Sequence, residues 1–282
     1  MTVGSRINEM KPLMESEEKM KRILLTNDDG INAEGLIALT EYLGGVPDAE
    51  VYVFAPAEQQ SAKSQSITFR RPVRIGAAAV AGAKEAYAVD GTPADCIKLG
   101  LAKLRANDIM PDYVFSGINK GINLGIAAYY SGTIAAAREG VLNGIRSIAL
   151  SVGSHESIHF DAMLSVVPQI MEIADRSKKG IIISANAPEL APEDIKGIKG
   201  VPAAPYGYGE DFVFIEEEAD LWQMYPVHVF TDEEMRYDWD WYHKGYVTVS
   251  PIAVSTDDER ALDIIRKLLI SREYPPGLER TK

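Results

Sequence analysis

The amino-acid sequence predicts an α/β fold in which a mostly parallel sheet is covered by helices on both faces. Short apolar runs alternate with helical segments from residue 22 to about residue 185. The runs are continuously apolar, which is typical of strands that are buried on both sides. The chain has 282 residues, of which 46% are hydrophobic and 25% are charged. This length and composition suit one large α/β domain, alone or with a smaller appendage.

The elements of the predicted core follow one another in a regular order. Glu34–Leu43 carries apolar residues at helical spacing. Pro93 suits the first turn of a second helix, and Thr92 with Asp95 has the pattern of a capping box. The predicted strands are Ile23–Thr26, Val51–Ala55, Tyr113–Ser116, Ser147–Val152 and Ile181–Ser184, and the helices are Glu34–Leu43, Pro93–Leu104, residues 131–142 and Phe160–Ala174.

The composition of the chain changes after about residue 185. Prolines and glycines become frequent, and acidic and aromatic clusters follow, including the aromatic segment YDWDWY at residues 237–242. Strands are predicted at Asp211–Ile215 and Tyr246–Val249, and an amphipathic helix at Asp257–Ile270. We therefore predict three parts: a mobile N-terminal extension over residues 1–20, a core over residues 21–185, and a β-rich extension with a C-terminal helix over residues 186–282.

Charge and hydropathy restrict the partners. The formal net charge of -12 argues against a nucleic acid polymer, because phosphate backbones bind clustered Lys and Arg. It does not argue against a small phosphorylated molecule. The longest apolar runs fall short of the roughly 18 residues of a membrane span, and the N-terminus lacks the apolar segment of a signal peptide. We expect no membrane association and a cytoplasmic location. Cys96 could be a nucleophile, but its apolar neighbours favour a buried structural role.

Four polar stretches stand where predicted strands end or a helix begins. Ligands of parallel α/β sheets bind at the carboxyl ends of the strands, so we expect these stretches to converge. Taken singly they are weak signals, since Asp-Asp-Gly is also an ordinary turn sequence. The stretches are Asn27–Gly30, the serine-rich loop at residues 55–68, Ser116–Gly125 and Tyr130–Thr133.

The chemistry of these stretches indicates a metal beside a phosphate. Two carboxylates, a hydroxyl and an amide carbonyl suit Mg²⁺, Mn²⁺ or Ca²⁺ better than zinc. A glycine-rich loop and a Ser-Gly-Thr sequence at a helix start offer N–H groups and hydroxyls to an oxyanion. The loop GINKGINLG is neither a Walker A motif nor a dinucleotide fingerprint. Together the stretches predict a metal-assisted phosphomonoesterase.

Six motifs follow one another over about residues 21–255: ILLTNDDG, the serine-rich loop after VFAP, VDGTPADC, SGINKGINLG, YSGTIAAAREG and KGYVTVSPI. Together and in this order, they resemble the motifs of the SurE nucleotidase family. The resemblance implies a Rossmann-like three-layer fold whose C-terminal extension contributes to a homodimer or homotetramer. It also implies a divalent-metal-dependent 5′-nucleotidase that hydrolyses nucleoside 5′- and 3′-monophosphates, with short polyphosphate as a substrate of some members.

The resemblance further implies roles for individual residues. The ligands of one divalent metal ion per subunit would be Asp28, Asp29, Ser61 and Asn119, with Asp28 and Asp29 also catalytic, and the phosphate would be held by Asn123, Ser131, Gly132 and Thr133. Two mechanisms stay open: attack by a water that one of the aspartates, such as Asp28, orients or deprotonates, or a phospho-aspartyl intermediate on Asp28.

Two departures from the family pattern bear on this interpretation. The family commonly has glycine where this chain has Ala62, and losing that glycine restricts the backbone of the serine-rich loop. The family often has acidic residues where this chain has Ile126–Tyr129, which bears on substrate preference. The first departure supports the alternative hypothesis of a non-catalytic sensor that binds metal and nucleotide without hydrolysis.

Overall fold

The computed structural model describes residues 20–153, 160–214, 222–228, 234–255 and 258–270. Apart from Met20, the predicted N-terminal extension lies outside these ranges. The first part of the chain contains β1 (Lys21–Thr26), α1 (Glu34–Gly44), β2 (Ala49–Pro56), β3 (Ile75–Ala78), β4 (Glu85–Val89), α2 (Pro93–Arg105), β5 (Tyr113–Lys120), α3 (Gly132–Leu142), β6 (Arg146–Val152), α4 (Asp161–Arg176) and β7 (Ile181–Ala187). It continues with β8 (Ile198–Gly200), β9 (Tyr208–Phe214), β10 (Trp222–His228), α5 (Asp238–Tyr242), β11 (Val247–Ala253) and α6 (Glu259–Ile270).

Nine of the described strands form one sheet in the order β3-β4-β2-β1-β5-β6-β7-β11-β8. The strands from β4 to β7 in this order run parallel to one another. At the two sides of this parallel block, β3 is antiparallel to β4 and β11 is antiparallel to β7. The prediction of an α/β fold with a mostly parallel sheet is therefore confirmed.

The chain changes direction across the sheet at β1. It passes from β1 to β2 on one side, and later continues at β5 on the other side of β1. Thr26 at the end of β1 pairs with Ser116 in β5. A crevice forms at such a topological switch, outside the carboxyl ends of the two strands, and it is the usual ligand site of a doubly wound sheet.

Helices cover both faces of the sheet and make a three-layer fold. Because successive strand residues point to opposite faces, Ile23 and Leu25 of β1 pack in the core beneath α1 and α4. Leu24 packs on the other face with residues of α2 and α3. Both faces of β1 are thus buried, as the continuous apolar runs in the sequence predicted.

The capping box predicted for α2 is present. The Thr92 hydroxyl accepts from the Asp95 N–H at 3.2 Å, and an Asp95 carboxylate oxygen accepts from the Thr92 N–H at 3.0 Å. The same carboxylate accepts from the N–H of Thr68. The helix start therefore also ties down the far end of the serine-rich loop.

The region after residue 185 contributes to the main sheet as well as to a separate hairpin. The strand predicted at Tyr246–Val249 is β11, which pairs with β7 through Val249 and Ala185. The strand predicted at Asp211–Ile215 falls largely within β9, which forms a two-stranded antiparallel sheet with β10. The division into core and extension near residue 185 stays a prediction about folding units. The sequence did not predict the strands β3, β4, β8 and β10.

Helix α3 lies directly on β5 and β6 because Gly140 has no side chain. A Cβ added at Gly140 would lie 2.7 Å from Cβ of Val114 and would also overlap the Ser147 hydroxyl. Cβ atoms are fixed to the backbone, so the Val114 contact can be relieved only by moving the helix. The position of α3 on the sheet matters because this helix begins at the predicted phosphate-binding residues.

We predict that Gly140→Ala lowers the free energy of unfolding by about 1–3 kcal/mol, although alanine favours helix more than glycine does. Urea denaturation followed by circular dichroism measures the change. Gly76→Ala is the matched control, because a Cβ at Gly76 in β3 meets nothing within 4 Å. Equal stability of the two variants would contradict the close packing of α3.

Candidate active site

Asp28 and Asp29 follow β1 after one intervening residue, Asn27, at the crevice between β1 and β5. Asp28 is buried, and its Oδ1 accepts from the Thr133 hydroxyl at 2.6 Å. The Thr133 N–H also favours the ionised form of Asp28. A Cβ at Gly132 would lie 2.8 Å from Cβ of Asp28, so the first turn of α3 can approach the carboxylate only because residue 132 is glycine.

Asp29 connects the two other loops that carry predicted ligands. Its Oδ2 accepts from the Lys120 N–H at 3.2 Å, and Lys120 follows Asn119 in the chain. Its carboxylate also receives a hydrogen bond from the side chain of Gln59. The Gln59 amide lies 3.1 Å from the Ser61 hydroxyl oxygen, to which it donates. The structure thus brings the loops of Asp28, Asp29, Ser61 and Asn119 together.

The amide of Asn119 has a defined orientation. Its Nδ2 donates to the carbonyl oxygen of Gly121 at 2.8 Å. Because the NH2 group is bound in this way, the side-chain oxygen is the atom that Asn119 can offer to a metal. The serine-rich loop is held on the same edge by the Gln60 N–H, which donates to the carbonyl oxygen of Asp28 at 2.7 Å.

Burial disfavours negative charge on both aspartates. Desolvation raises the pKa of Asp28 to about 6; the Thr133 hydrogen bond opposes this effect and the charge of Asp29 adds to it. Desolvation also raises the pKa of Asp29, against the hydrogen bonds from Lys120 and Gln59. Ionisation of two adjacent buried carboxylates is costly, but it becomes favourable when a cation lies between them.

The donor set fits a hard divalent cation. Within the described ranges, no three His, Cys, Asp or Glu side chains lie together, which disfavours a zinc site in that part of the chain. The crevice instead offers two carboxylates, the hydroxyl of Ser61 and the amide oxygen of Asn119. Oxygen ligands of this kind suit Mg²⁺, Mn²⁺ or Ca²⁺.

The residues predicted to bind phosphate divide into two groups. Ser131 is the N-cap of α3, and its hydroxyl accepts from the Ile134 N–H at 3.1 Å. Gly132 and Thr133 form the first turn of α3, beside Asp28. Asn123 lies further along the same edge, where it is bound to residues at the ends of β6 and β7. The Thr133 hydroxyl is bound to Asp28, so Thr133 orients that carboxylate.

Several residues of this site were not identified from the sequence. Asn27 shapes the turn after β1, since its side chain donates to the carbonyl oxygen of Gly30 at 2.9 Å and accepts from the Gly30 N–H at 3.2 Å. Asn followed by Gly three residues later is a turn pattern that could have indicated this role. No local pattern identifies Gln59. Cys96 is fully buried, and burial raises the pKa of its thiol, so it is not an activated nucleophile.

Ala62, where the family resemblance predicts glycine, has an unusual backbone conformation. Ala62 has a φ of 55°, in the left-handed region that favours glycine. Ser64 has a φ of 49°, and its N–H and hydroxyl bind the carbonyl oxygens of Tyr130 and Tyr129. The loop therefore keeps its position against the start of α3 and carries backbone strain at Ala62.

Comparison with known proteins agrees with this geometry. The family model described as "Survival protein SurE" matches residues 23–209. The chain belongs to the SurE family. The resemblance inferred from the motifs is thereby confirmed.

Among the described residues, no helix is both long and apolar enough to span a membrane.

Relatives match nearly the whole length of the chain. The protein is 36% identical over 255 residues to the 5′-nucleotidase SurE of Clostridium beijerinckii, covering 87% of this chain and 98% of that protein. It is also 36% identical over 255 residues to the 5′-nucleotidase SurE of Syntrophomonas wolfei, covering 87% and 94%. The crystal structure of the SurE protein from Aquifex aeolicus superposes with a TM-score of 0.74 at 31% identity, covering 88% of this chain and 99% of that one.

The raised pKa of Asp28 predicts a pH dependence of stability in the metal-free protein. The ordinary value is 3.8 and the folded value is about 6, so the folded state binds more protons between these values. Stability should therefore fall as the pH rises through this window and then level off. We expect the free energy of unfolding to fall by roughly 2–3 kcal/mol more in the wild type than in Asp28→Asn between pH 4 and 7.

Urea denaturation at four pH values in the presence of a chelator measures this difference. The Asp28→Asn variant is the internal control, because it retains Asp29 and every other titrating group. Parallel pH profiles for the two proteins would show that burial does not penalise the Asp28 carboxylate.

We predict that Ala62→Gly raises the free energy of unfolding by about 0.5–1 kcal/mol. Relief of left-handed strain outweighs the extra backbone entropy of glycine in the unfolded chain. Ala57→Gly is the matched control, because Ala57 lies in the same loop but does not have a left-handed φ, so glycine should destabilise there. Thermal and urea denaturation of the three proteins test this, and destabilisation by Ala62→Gly would contradict the strained conformation.

Proposed function

We propose that this SurE-family protein is a divalent-metal-dependent 5′-nucleotidase that hydrolyses nucleoside monophosphates to nucleoside and phosphate. The observation that carries the proposal is the junction of Asp28 and Asp29 with the loops of Ser61 and Asn119, beside the first turn of α3. The relatives described above, which are themselves named 5′-nucleotidases, support the same conclusion.

The residues that would hold the metal are Asp28, Asp29, Ser61 and Asn119, through carboxylate, hydroxyl and amide oxygens. One divalent ion, Mg²⁺, Mn²⁺ or Ca²⁺, would supply positive charge to the phosphoryl oxygens and lower the pKa of a water. The proposal includes one such ion per subunit.

The start of α3 gives the substrate phosphate its place. A helix N-terminus favours an anion. The Thr133 N–H binds Asp28 and the Ile134 N–H binds the Ser131 hydroxyl, so the Gly132 N–H is the first-turn donor proposed for the phosphate. Gly132 allows the phosphate to lie next to Asp28 without a side chain between them. The amide of Asn123, further along the same edge, would hold the other side of the phosphate.

Asp28 is suited to take a proton from the attacking water. Its Oδ1 is bound by Thr133, so Oδ2 is the atom that can receive the proton. Burial raises the pKa of this carboxylate in the metal-free protein. A bound cation would lower that pKa again, so Asp28 would be ionised and able to accept a proton when the metal is held. In the hydrolysis, the water oxygen bonds to phosphorus while its proton passes to Asp28, and the ester bond to the nucleoside breaks. The nucleoside oxygen takes a proton from solvent, and Asp28 returns its own proton to solvent.

The substrate range and assembly belong to the same proposal. Nucleoside 3′-monophosphates and short polyphosphate present the same terminal phosphate to the helix start, and we include them as substrates. We also propose that the protein assembles as a homodimer or homotetramer through its C-terminal region.

Asp28→Asn and Asp29→Asn should each lower the release of phosphate from AMP in the presence of Mn²⁺ by at least roughly 100-fold. Asp90→Asn is the matched control, because Asp90 is an exposed aspartate whose carboxylate pairs with Arg71 at the surface. Its activity should equal that of the wild type. Treatment with EDTA followed by dialysis should abolish activity, and added Mn²⁺ should restore it.

Wild-type activity in Asp28→Asn, or full activity after removal of metal, would contradict the proposal. Tight binding of AMP and Mn²⁺ with no release of phosphate would instead support the sensor hypothesis.

A further inference from the structure

The aromatic segment at residues 237–242 lies inside the chain. Trp239 is 1% exposed and Tyr242 is 9% exposed. Both pack with Leu124 and Ala204 in a small core of their own. Through Leu124, the segment packs against the loop that carries Asn119 and Asn123.

Asp238 in this segment is a buried carboxylate with backbone donors on both oxygens. It is 1% exposed. Its Oδ2 accepts from the Gly125 N–H at 3.0 Å. Its Oδ1 accepts from the N–H groups of Ala204 and Trp239 at 2.9 and 2.8 Å. Charge-assisted bonds of this kind offset the cost of burying the carboxylate, so removing them leaves the Gly125 and Ala204 N–H groups without their acceptor.

The bond to Gly125 fixes one end of the segment Gly121–Gly125, which we call the substrate loop. Its centre is fixed by Asn186 of β7, whose Oδ1 accepts from the Asn123 N–H at 2.7 Å. The Asn123 side chain donates to the Ser151 hydroxyl at 2.8 Å. The backbone at Gly125 has a φ of 52°, and a Cβ there would overlap the carbonyl oxygen of Tyr206. The substrate loop is therefore held between β7 and α5.

We propose that Asp238 is a positioning residue for the substrate: by holding Gly125 it keeps Asn123 in the orientation that receives the phosphate. The bond spans 113 residues of sequence, and Asp238 itself contacts the loop backbone without reaching the reacting atoms. The inference rests on the proposed nucleotidase function, because it assigns Asn123 to that substrate.

The test compares Asp238→Asn with Asp240→Asn. Asparagine has the same size as aspartate, but its NH2 group would face a backbone donor. Asp240 lies in the same helix and accepts from the Tyr237 N–H and the Tyr206 hydroxyl, so the control loses a comparable carboxylate without touching the substrate loop. Each full-length protein is assayed with AMP and Mn²⁺ for kcat and KM, for AMP affinity by calorimetry, and for amide hydrogen exchange in a peptide covering residues 119–128.

For Asp238→Asn we expect KM and the dissociation constant of AMP to rise about tenfold, which corresponds to the loss of one charge-assisted hydrogen bond. The value of kcat should change less than about threefold. Hydrogen exchange should accelerate in the 119–128 peptide. Asp240→Asn should change these values less than about twofold. If Asp238→Asn does not fold, Asp238→Ser replaces it, since serine is smaller and leaves no buried charge.

The possible failures are distinguishable. A wild type that binds AMP without hydrolysing it overturns the proposed function, and the AMP affinity of the variants still decides the role of Asp238. An active wild type with equal KM and equal exchange in the two variants overturns the inference alone. Faster exchange without a change in AMP affinity also overturns it, because the loop would then be held without consequence for substrate. A wild type that neither binds nor hydrolyses AMP overturns both.

Discussion

The contact between Asp28 and the start of α3 is the interaction on which the rest of the site depends. It joins the end of β1 to a helix more than one hundred residues later, through the hydroxyl of Thr133. It exists because Gly132 has no Cβ and because Gly140 lets the same helix lie close to β5 and β6. A helix that stood one side chain further from the sheet could not bring its N-terminus to the carboxylate.

This contact places opposing electrostatic effects at one point. Burial makes the charges of Asp28 and Asp29 unfavourable, while hydrogen bonds from Thr133, Lys120 and Gln59 partly offset that cost. The remaining cost of negative charge on the two aspartates favours a bound cation, and the adjacent N-terminus of α3 favours an anion. A metal and a phosphate satisfy both requirements together, which is the physical reason that hydrolysis of a phosphate ester suits this crevice.

The loops around the crevice are held by elements that lie far from them in sequence. The serine-rich loop is fixed by Asp95 at the start of α2 and by the carbonyl oxygens before α3. The substrate loop is fixed by Asn186 and Asp238. Strained backbone at Ala62 is tolerated because these contacts determine the path of the loop on either side of it. The C-terminal third of the chain therefore helps to shape a site whose proposed ligands all come from the first half.

Local patterns in the sequence determined much of this protein. Continuous apolar runs predicted the buried parallel strands, Thr92 and Asp95 predicted a capping box that the structure contains, and Asp28 and Asp29 could be placed at a strand end from their position alone. Period and capping depend on neighbours within a few residues, so they can be recognised in a single sequence.

Only the tertiary structure decided how distant segments meet. Three contacts have no local signature in the sequence. They are the pairing of β11 with β7, the bridge of Gln59 between Asp29 and Ser61, and the hydrogen bond from Gly125 to Asp238. Each joins segments that are far apart along the chain, so no periodic pattern in the sequence indicates the contact. Whether a carboxylate such as Asp238 faces water or a buried N–H depends on the packing of the whole fold.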